Sequence, residues 1–141
     1  MKTYIEIEGK QVDLESHLSK ARTIITLGKN TEEAYNVLAL DEDSVEVFQC
    51  QFTRTSNGNW KVQNGQWRTG CPKGIRSRLQ HACAMCMGRC VNSRTANPTY
   101  SWRMPENPTL LNGKEIGNEG IELKDGDVIT VGHLHLPVKI L

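Results

Sequence analysis

Four of the five cysteines in this 141-residue chain are clustered. They are Cys71, Cys83, Cys86 and Cys90, and their spacing is C-x11-C-x2-C-x3-C. Four thiolates can hold Zn²⁺ in a closed tetrahedral site, and the metal then supplies folding energy to a segment with little core of its own. The cluster therefore predicts a structural zinc site, with His81 as a possible substitute for one of the cysteines.

The same residues permit other interpretations, which stay open. Residues 77–89 read as a helix, and Leu79, Cys83, Cys86 and Cys90 recur on one face of it. Buried cysteines pack as small hydrophobic side chains, so this face could belong to a metal-free core. An iron–sulfur cluster also uses four cysteines, but the usual ferredoxin spacings are absent. A redox-active Cys83/Cys86 pair lacks the βαβ context of thioredoxin-like sites.

The composition is typical of one folded domain without a membrane span. Hydrophobic residues make up 38% of the chain, but no apolar stretch approaches the roughly 20 residues that cross a bilayer. The first residues, MKTYIE, lack the apolar run of a signal peptide. We therefore expect a cytoplasmic protein, in which cysteines are thiols or metal ligands and not a disulfide framework.

Alternating apolar residues predict a series of short strands. The predicted strands cover residues 4–7, 23–27, 36–40, 45–52, 60–62 and 128–131. Asn57-Gly58 predicts a tight hairpin between the fourth and fifth of these strands. Residues 11–20 read equally well as a helical turn or as a loop. Because no strand–helix alternation is present, the pattern favours a β-sandwich over a parallel sheet.

The last third of the chain carries a more specific pattern. It reads NPTLLNG at residues 107–113 and LKDGDVITVG at residues 123–132. This pattern resembles the C-terminal half of a forkhead-associated (FHA) domain, except that Pro108 stands where the family has Gly. Upstream, Gly28, Asn36, Leu40 and Ser44 fit the family pattern. The resemblance covers about residues 22–141 and implies an all-β, FHA-like (SMAD/FHA) β-sandwich.

FHA domains bind phosphothreonine peptides through their loops, so the resemblance also implies a binding site. Ser44 would hydrogen-bond a phosphate oxygen, Lys29 would neutralise its charge, Asn107 would hold the ligand backbone, and Asn112 would support the adjoining loop. The family has Arg in place of Lys29 and His in place of Val47, and the point charge of Lys matches phosphate less well than the planar Arg. Alternatively, Ser44 only caps a turn after an acidic run, and Lys29 is a solvated loop tip.

Residues 66–105 form an insert that an FHA sandwich does not require. The insert contains the four clustered cysteines, seven of the 17 basic residues and none of the 16 acidic residues. Such a segment suits an anionic partner, either a phosphorylated protein or another anionic protein surface. Nucleic acid is a minor alternative, because Trp67, Tyr100 and Trp102 are interleaved with arginines. A negatively charged four-thiolate zinc centre would also account for nearby arginines.

Catalytic signatures are missing from the sequence. It has no Gly-rich phosphate loop, no nucleophile elbow and no His-Glu-x-x-His pair. We therefore expect a non-enzymatic protein–protein interaction module that binds phosphothreonine peptides in Ser/Thr kinase and phosphatase signalling. The rival interpretation is a degenerate FHA domain that acts as a phosphate-independent scaffold through its zinc-stapled basic insert.

The metal content of protein purified without chelator tests the zinc prediction. Elemental analysis is expected to find one zinc per chain, and Cys83→Ser is expected to lose it, because three thiolates no longer close the tetrahedral site. Cys50→Ser alters the one cysteine outside the cluster and is expected to keep the metal. Metal-free wild-type protein would refute the site.

Overall fold

A computed structural model describes residues 2–32, 34–69 and 100–141. The four predicted zinc ligands, and the helix predicted around them, lie outside these residues. The chain divides into two compact units, of which the first is Met1–Gln66 with Met104–Leu141 and the second is Trp67–Arg103. No helix in the described part of the chain has the length and apolar character that a membrane crossing requires.

The first unit contains a six-stranded antiparallel sheet. In sheet order its strands are β10 (Lys114–Glu115), β9 (Leu110–Leu111), β12 (Val128–Val131), β13 (Leu134–Ile140), β1 (Thr3–Ile7) and β2 (Lys10–Asp13). Strand β1 pairs with β13 in the interior of the sheet, with Ile5 opposite Val138. This pairing holds both ends of the chain in the same sheet.

A five-stranded sheet lies in the same unit. In sheet order its strands are β11 (Ile121–Glu122), β6 (Trp60–Asn64), β5 (Cys50–Arg54), β3 (Ile24–Gly28) and β4 (Leu38–Ala39). Strands β3 and β4 are parallel, and the other neighbours are antiparallel. The β5–β6 hairpin turns at Gly58, whose φ of 87° is readily accessible only to glycine.

One continuous apolar core includes residues from both sheets, which makes the first unit a β-sandwich. Burial follows the two-residue period of the strands, as in β6, where Trp60, Val62 and Asn64 are buried and the residues between them are half-buried. The largest fully buried apolar side chains are those of Trp60, Phe52, Ile5, Leu14, Ile25, Leu27, Ile129, Leu136, Val62 and Val131. Removal of this apolar surface from water is the main favourable contribution to folding.

Buried polar side chains join the loops at one end of this core. Thr109 donates its N–H to Asn64 Oδ1 at 2.9 Å, and Gln49 Nε2 donates to Thr109 Oγ1 at 3.0 Å. Gln66 Nε2 lies 2.6 Å from Asn36 Oδ1 and 3.0 Å from the carbonyl oxygen of Cys50. Because buried polar groups are costly unless paired, this network restricts the loops to one arrangement.

The all-β sandwich is confirmed, and most predicted strands are present. Strands β1, β3, β6 and β12 match the predicted segments within a residue or two, whereas the segment 36–40 is reduced to the two residues of β4. Residues 11–20, which had no assignment, form the end of β2 followed by a 3₁₀ turn over Leu14–His17, capped by the side chain of Asp13.

The prediction of a strand over residues 45–52 was wrong in its first half, because β5 begins only at Cys50. The backbone before it bonds to partners outside a strand ladder. Glu46 N–H donates to the side chain of Gln49 at 3.0 Å, and the Glu46 carbonyl accepts from Lys29 N–H at 3.1 Å. The side-chain oxygen of Gln49 thus accepts the Glu46 N–H that a neighbouring strand would have bound, had residues 45–49 formed the predicted strand.

The strands β7 (Gln66–Thr69) and β8 (Tyr100–Arg103) form a two-stranded sheet, and all of it except Gln66 belongs to the second unit. The rings of Trp67 on β7 and Trp102 on β8 are in contact, with centroids 6.2 Å apart and an interplanar angle of 39°. Burial, and secondarily the charge of Arg103, lowers the pKa of Arg68. The two strands flank the part of the insert that lies outside the described residues.

Replacement of Gln49 by leucine tests the role of the polar network. Gln49→Leu is expected to lower the free energy of unfolding by about 2–4 kcal/mol, because each polar group left buried without a partner costs about 1–3 kcal/mol. Urea denaturation measures this loss. The control Gln11→Leu, on the exposed end of β2, is expected to stay within about 0.5 kcal/mol of wild type. Equal effects of the two changes would contradict the assigned role.

Candidate functional site

Ser44 and Asn107 line one cleft in the first unit. The cleft has a volume of about 250 Å³, and its other lining residues are Pro108, Leu110, Thr130, Gly132 and His133. Small-molecule pockets usually occupy about 300–1,000 Å³. The cleft is therefore suited to one side chain of a larger ligand. We call the loops that carry Lys29, residues 41–49, residues 106–109 and residues 132–133 the loop end.

Ser44 is packed tightly against the turn between β12 and β13. Gly132 in this turn has φ 59°, and a Cβ atom there would overlap Ser44 Oγ and the Ser44 carbonyl. The next residue, His133, donates its backbone N–H to Ser44 Oγ at 2.9 Å. A glycine at position 132 thus lets the turn approach and hold the serine hydroxyl.

The hydroxyl and the backbone N–H of Ser44 both donate to one carboxylate oxygen. The acceptor is Glu42 Oε1, at 2.8 Å from Ser44 Oγ and 3.2 Å from Ser44 N. These two hydrogen bonds, the side-chain bond foremost, lower the pKa of Glu42. Ser44 therefore holds an anionic oxygen through two donors.

Lys29 follows β3 and forms an ion pair with the acidic run. Its Nζ atom lies 2.8 Å from Asp43 Oδ1, and the Lys29 side chain is 34% exposed. The hydrogen bond and then the opposite charge lower the pKa of Asp43 and raise that of Lys29. The ammonium group is paired, but it stays in contact with water, because its side chain is partly exposed and that of Asp43 is fully exposed.

Asn107 lies on a loop whose backbone is held from two directions. Glu46 accepts the N–H of Glu106 at 2.8 Å and that of Asn107 at 2.5 Å, through its two carboxylate oxygens. Gln49 Nε2 donates to the Asn107 carbonyl at 3.1 Å. Among residues 2–32, 34–69 and 100–141, no hydrogen bond occupies the side-chain amide of Asn107. This amide can therefore bind a ligand while its backbone stays in place.

Of the four predicted residues only Ser44 and Asn107 line the cleft, whereas Lys29 and Asn112 do not. Asn112 lies apart from the acidic run. It lies in the β9–β10 turn with φ 53°, accepts from Val128 N–H at 2.9 Å through Oδ1, and donates to Asp127 Oδ1 at 3.0 Å. It is not among the described residues that line the cleft. Its side chain braces the start of β12 from the β9–β10 turn.

Neither a protein-family model nor a curated protein matches the chain, but solved structures do. An FHA domain of an Arabidopsis thaliana hypothetical protein aligns with TM-score 0.58 and 19% identity, covering 99% of this chain and 86% of that one. An FHA domain from a study of phosphothreonine-dependent interactions aligns with TM-score 0.57 and 13% identity, covering 100% and 98%. The MEK1 FHA domain, in complex with a HOP1 phosphothreonine peptide, aligns with TM-score 0.54 and 17% identity, covering 98% and 95%.

The chain has the fold of an FHA domain. Gly28 is one of the residues that fit the FHA sequence pattern, and the fold of this chain requires a glycine there. A Cβ atom at this position would overlap the carbonyl oxygens of Val47 and Glu46. At this position the chain passes so close to the loop after β4 that only glycine fits. Lys29, which follows Gly28, is thereby brought to the same end of the sandwich as Glu42 and Asp43.

The sequence did not indicate a role for four residues of the loop end, namely Glu42, Asp43, Glu46 and Gln49. The acidic run before Ser44 was visible in the sequence as the start of a turn. Its contact with Lys29, fourteen residues earlier, had no sequence signal, because neither helical nor strand spacing relates the two positions. The buried position of Gln49 was likewise hidden by an alternating pattern that predicted a strand.

Metal ligands do not assemble in this part of the molecule. Residues 2–32, 34–69 and 100–141 contain no group of three or more His, Cys, Asp or Glu side chains that could hold an ion. Cys50 is fully buried, and burial raises the pKa of its thiol to about 12, so it is an inert core residue. The predicted zinc site on the other four cysteines remains a prediction.

Carbon-detected NMR titration of Glu42 tests the bonds that Ser44 donates. The Glu42 carboxyl is expected to titrate below the ordinary value of 4.5, because donors to the ionised form oppose its protonation. Ser44→Ala removes the hydroxyl donor and is expected to raise the Glu42 pKa toward that value. Ser16→Ala removes a hydroxyl that donates to the Asp13 carbonyl, and it is expected to leave the Glu42 pKa unchanged. No response to Ser44→Ala would show that the bond is absent in solution.

Proposed function

We propose that this chain is a protein-interaction module that binds phosphothreonine peptides at its loop end. One observation carries the proposal. Two donors of Ser44 and the ammonium group of Lys29 already hold carboxylate oxygens there, at 2.8 to 3.2 Å. The same donors suit the oxygens of a phosphate, which carries more charge than a carboxylate and accepts stronger hydrogen bonds.

The fold supports this assignment from a second direction. The MEK1 FHA domain was solved in complex with a phosphothreonine peptide, and its fold is similar to that of this chain. In the proposed complex, the phosphate contacts Ser44 and Lys29 at the edge of the cleft. The threonine side chain enters the cleft, whose volume of about 250 Å³ leaves room for it.

Asn107 has the role of holding the ligand backbone. Its exposed amide offers both a donor and an acceptor, the two groups that an extended peptide presents. The loop beneath it is fixed by Glu46 and Gln49 before any ligand arrives. Such preorganisation reduces the entropy cost of binding. Asn112 supports the site from the β9–β10 turn.

The partner is a phosphorylated protein, so a Ser/Thr kinase must act upstream, and a cytoplasmic location would bring the two together. The insert is proposed to be stapled by a structural Zn²⁺ on Cys71, Cys83, Cys86 and Cys90. Its basic residues would attract an anionic partner surface. No catalytic role is assigned to the chain.

Charge on the sandwich favours a second candidate function. Outside residues 66–105 the chain carries all 16 acidic residues and only ten of the 17 basic ones. An anionic ligand is repelled by such a surface, and Lys29 is already neutralised by Asp43. The second candidate is a degenerate FHA domain that acts as a scaffold without phosphate, through the basic insert.

Fluorescence polarisation with two peptide libraries separates the candidates. One library carries a fixed phosphothreonine between randomised positions, and the other carries threonine there. Binding is expected only to the first library. Ser44→Ala is expected to weaken it at least about tenfold, because a hydrogen bond to a charged group contributes about 1.5–3 kcal/mol. Ser16→Ala is the matched control and is expected to bind as wild type does.

Equal binding of the two libraries would contradict phosphate recognition. If charge reversal at Arg76 and Arg78 then abolished binding, the scaffold function would be favoured. Binding to nucleic acid would be recognised by a steep fall in affinity as salt is added, because such complexes release counterions.

A further inference from the structure

We infer that the phosphate-binding groups of this FHA fold are masked by the chain's own carboxylates, Glu42 on Ser44 and Asp43 on Lys29. The inference rests on the proposed function and adds a mode of regulation to the same site. In this state the loop end is closed to phosphate. A phosphopeptide must displace two resident anions before it can bind.

The contacts of Ser44 support this inference most directly. Its hydroxyl oxygen accepts from the backbone N–H of His133 at 2.9 Å, so a lone pair is used and the hydroxyl proton is left to donate. That proton goes to Glu42 Oε1 at 2.8 Å, and the Ser44 N–H points to the same oxygen at 3.2 Å. One carboxylate oxygen therefore takes the position and both donors that a phosphate oxygen would need.

The contact between Asp43 and Lys29 neutralises the ammonium group of Lys29. Asp43 Oδ1 lies 2.8 Å from Lys29 Nζ, and the charges of Asp41 and Glu42 also act on the ammonium group. The Asp43 side chain is fully exposed, and exposed ion pairs are weak and easily exchanged. This part of the mask is therefore reversible.

The frame beneath the mask does not depend on it. The Asn107 loop is held by Glu46 and Gln49, and the Lys29 backbone is held by Glu46 and Asn36. None of these bonds involves the side chains of Glu42 or Asp43. Removal of the two carboxylates should consequently open the site without rearranging it.

Masking lowers the apparent affinity by the fraction of molecules in which the donors are open. The displaced carboxylates also remain near the phosphate and repel it. Both effects act in the same direction. The wild-type chain should therefore bind phosphothreonine peptides more weakly than its preformed site would allow.

The test compares the double variant Glu42→Ala/Asp43→Ala with wild type, using the phosphothreonine and threonine peptide libraries as probes. The double variant is expected to bind the phosphothreonine library at least about tenfold more tightly, in proportion to the larger open fraction. Glu115→Ala/Glu119→Ala is the control. It removes the same charge from two exposed residues outside the acidic run, and is expected to change the affinity less than about threefold, because exposed charges that do not contact the binding groups are screened.

A second pair of variants checks that the gain comes from the donors. Glu42→Gln/Asp43→Asn keeps the shape of both side chains and removes their charge, and it should also tighten binding. Ser44→Ala placed in the double variant should abolish the gain. Thermal unfolding should show that all these proteins fold.

The results distinguish the inference from the function on which it rests. If wild type binds the phosphothreonine library and the double variant binds no more tightly, masking is overturned while the proposed function stands. An equal gain in the control would also overturn masking, since it would reflect net charge alone. If no variant distinguishes the two libraries, the proposed function itself fails.

Discussion

The loop end depends on the buried amide group of Gln49. Its Oε1 atom accepts from Glu46 N–H at 3.0 Å, while Nε2 donates to the Asn107 carbonyl at 3.1 Å and to Thr109 Oγ1 at 3.0 Å. Thr109 returns its hydroxyl proton to the Gln49 carbonyl. Because such groups cannot be left unpaired in an apolar interior, one side chain joins the loop before β5 to the loop before β9. Glu46 extends this connection to the surface, where its carboxylate holds the Asn107 backbone.

The outer surface of the loop end has a different physical character. There the contacts are hydrogen bonds and an ion pair between half-buried and exposed side chains, Ser44 with Glu42 and Lys29 with Asp43. Water competes for all of these groups, so each contact can exchange with a ligand. A rigid buried frame beneath exchangeable surface contacts is the arrangement that a binding module requires, since the frame presents donors without having to reorganise.

Local patterns accounted for part of the fold. Alternation located β1, β3, β6 and β12, and Asn57-Gly58 located the β5–β6 hairpin. The prediction failed over residues 45–49 because the Gln49 side chain replaced a neighbouring strand as the hydrogen-bond partner, which periodicity cannot reveal. The resemblance to FHA domains predicted that Ser44 and Asn107 act at one site, and both residues line the same cleft. It did not reveal that carboxylates occupy the donors of Ser44 and Lys29.

The sequence by itself determined what depends on neighbours along the chain: strands β1, β3, β6 and β12, the turn at Gly58, whose φ is 87°, and the acidic run beside Ser44. Tertiary structure alone decided which charged and polar groups meet. Lys29 and Asp43 are fourteen residues apart, and Glu46 and Asn107 are 61 residues apart. A hydrogen bond acts only over about 3 Å, so such partners are set by the path of the folded chain. That path is fixed by the packing of the two sheets and by the buried amides that pin the loops.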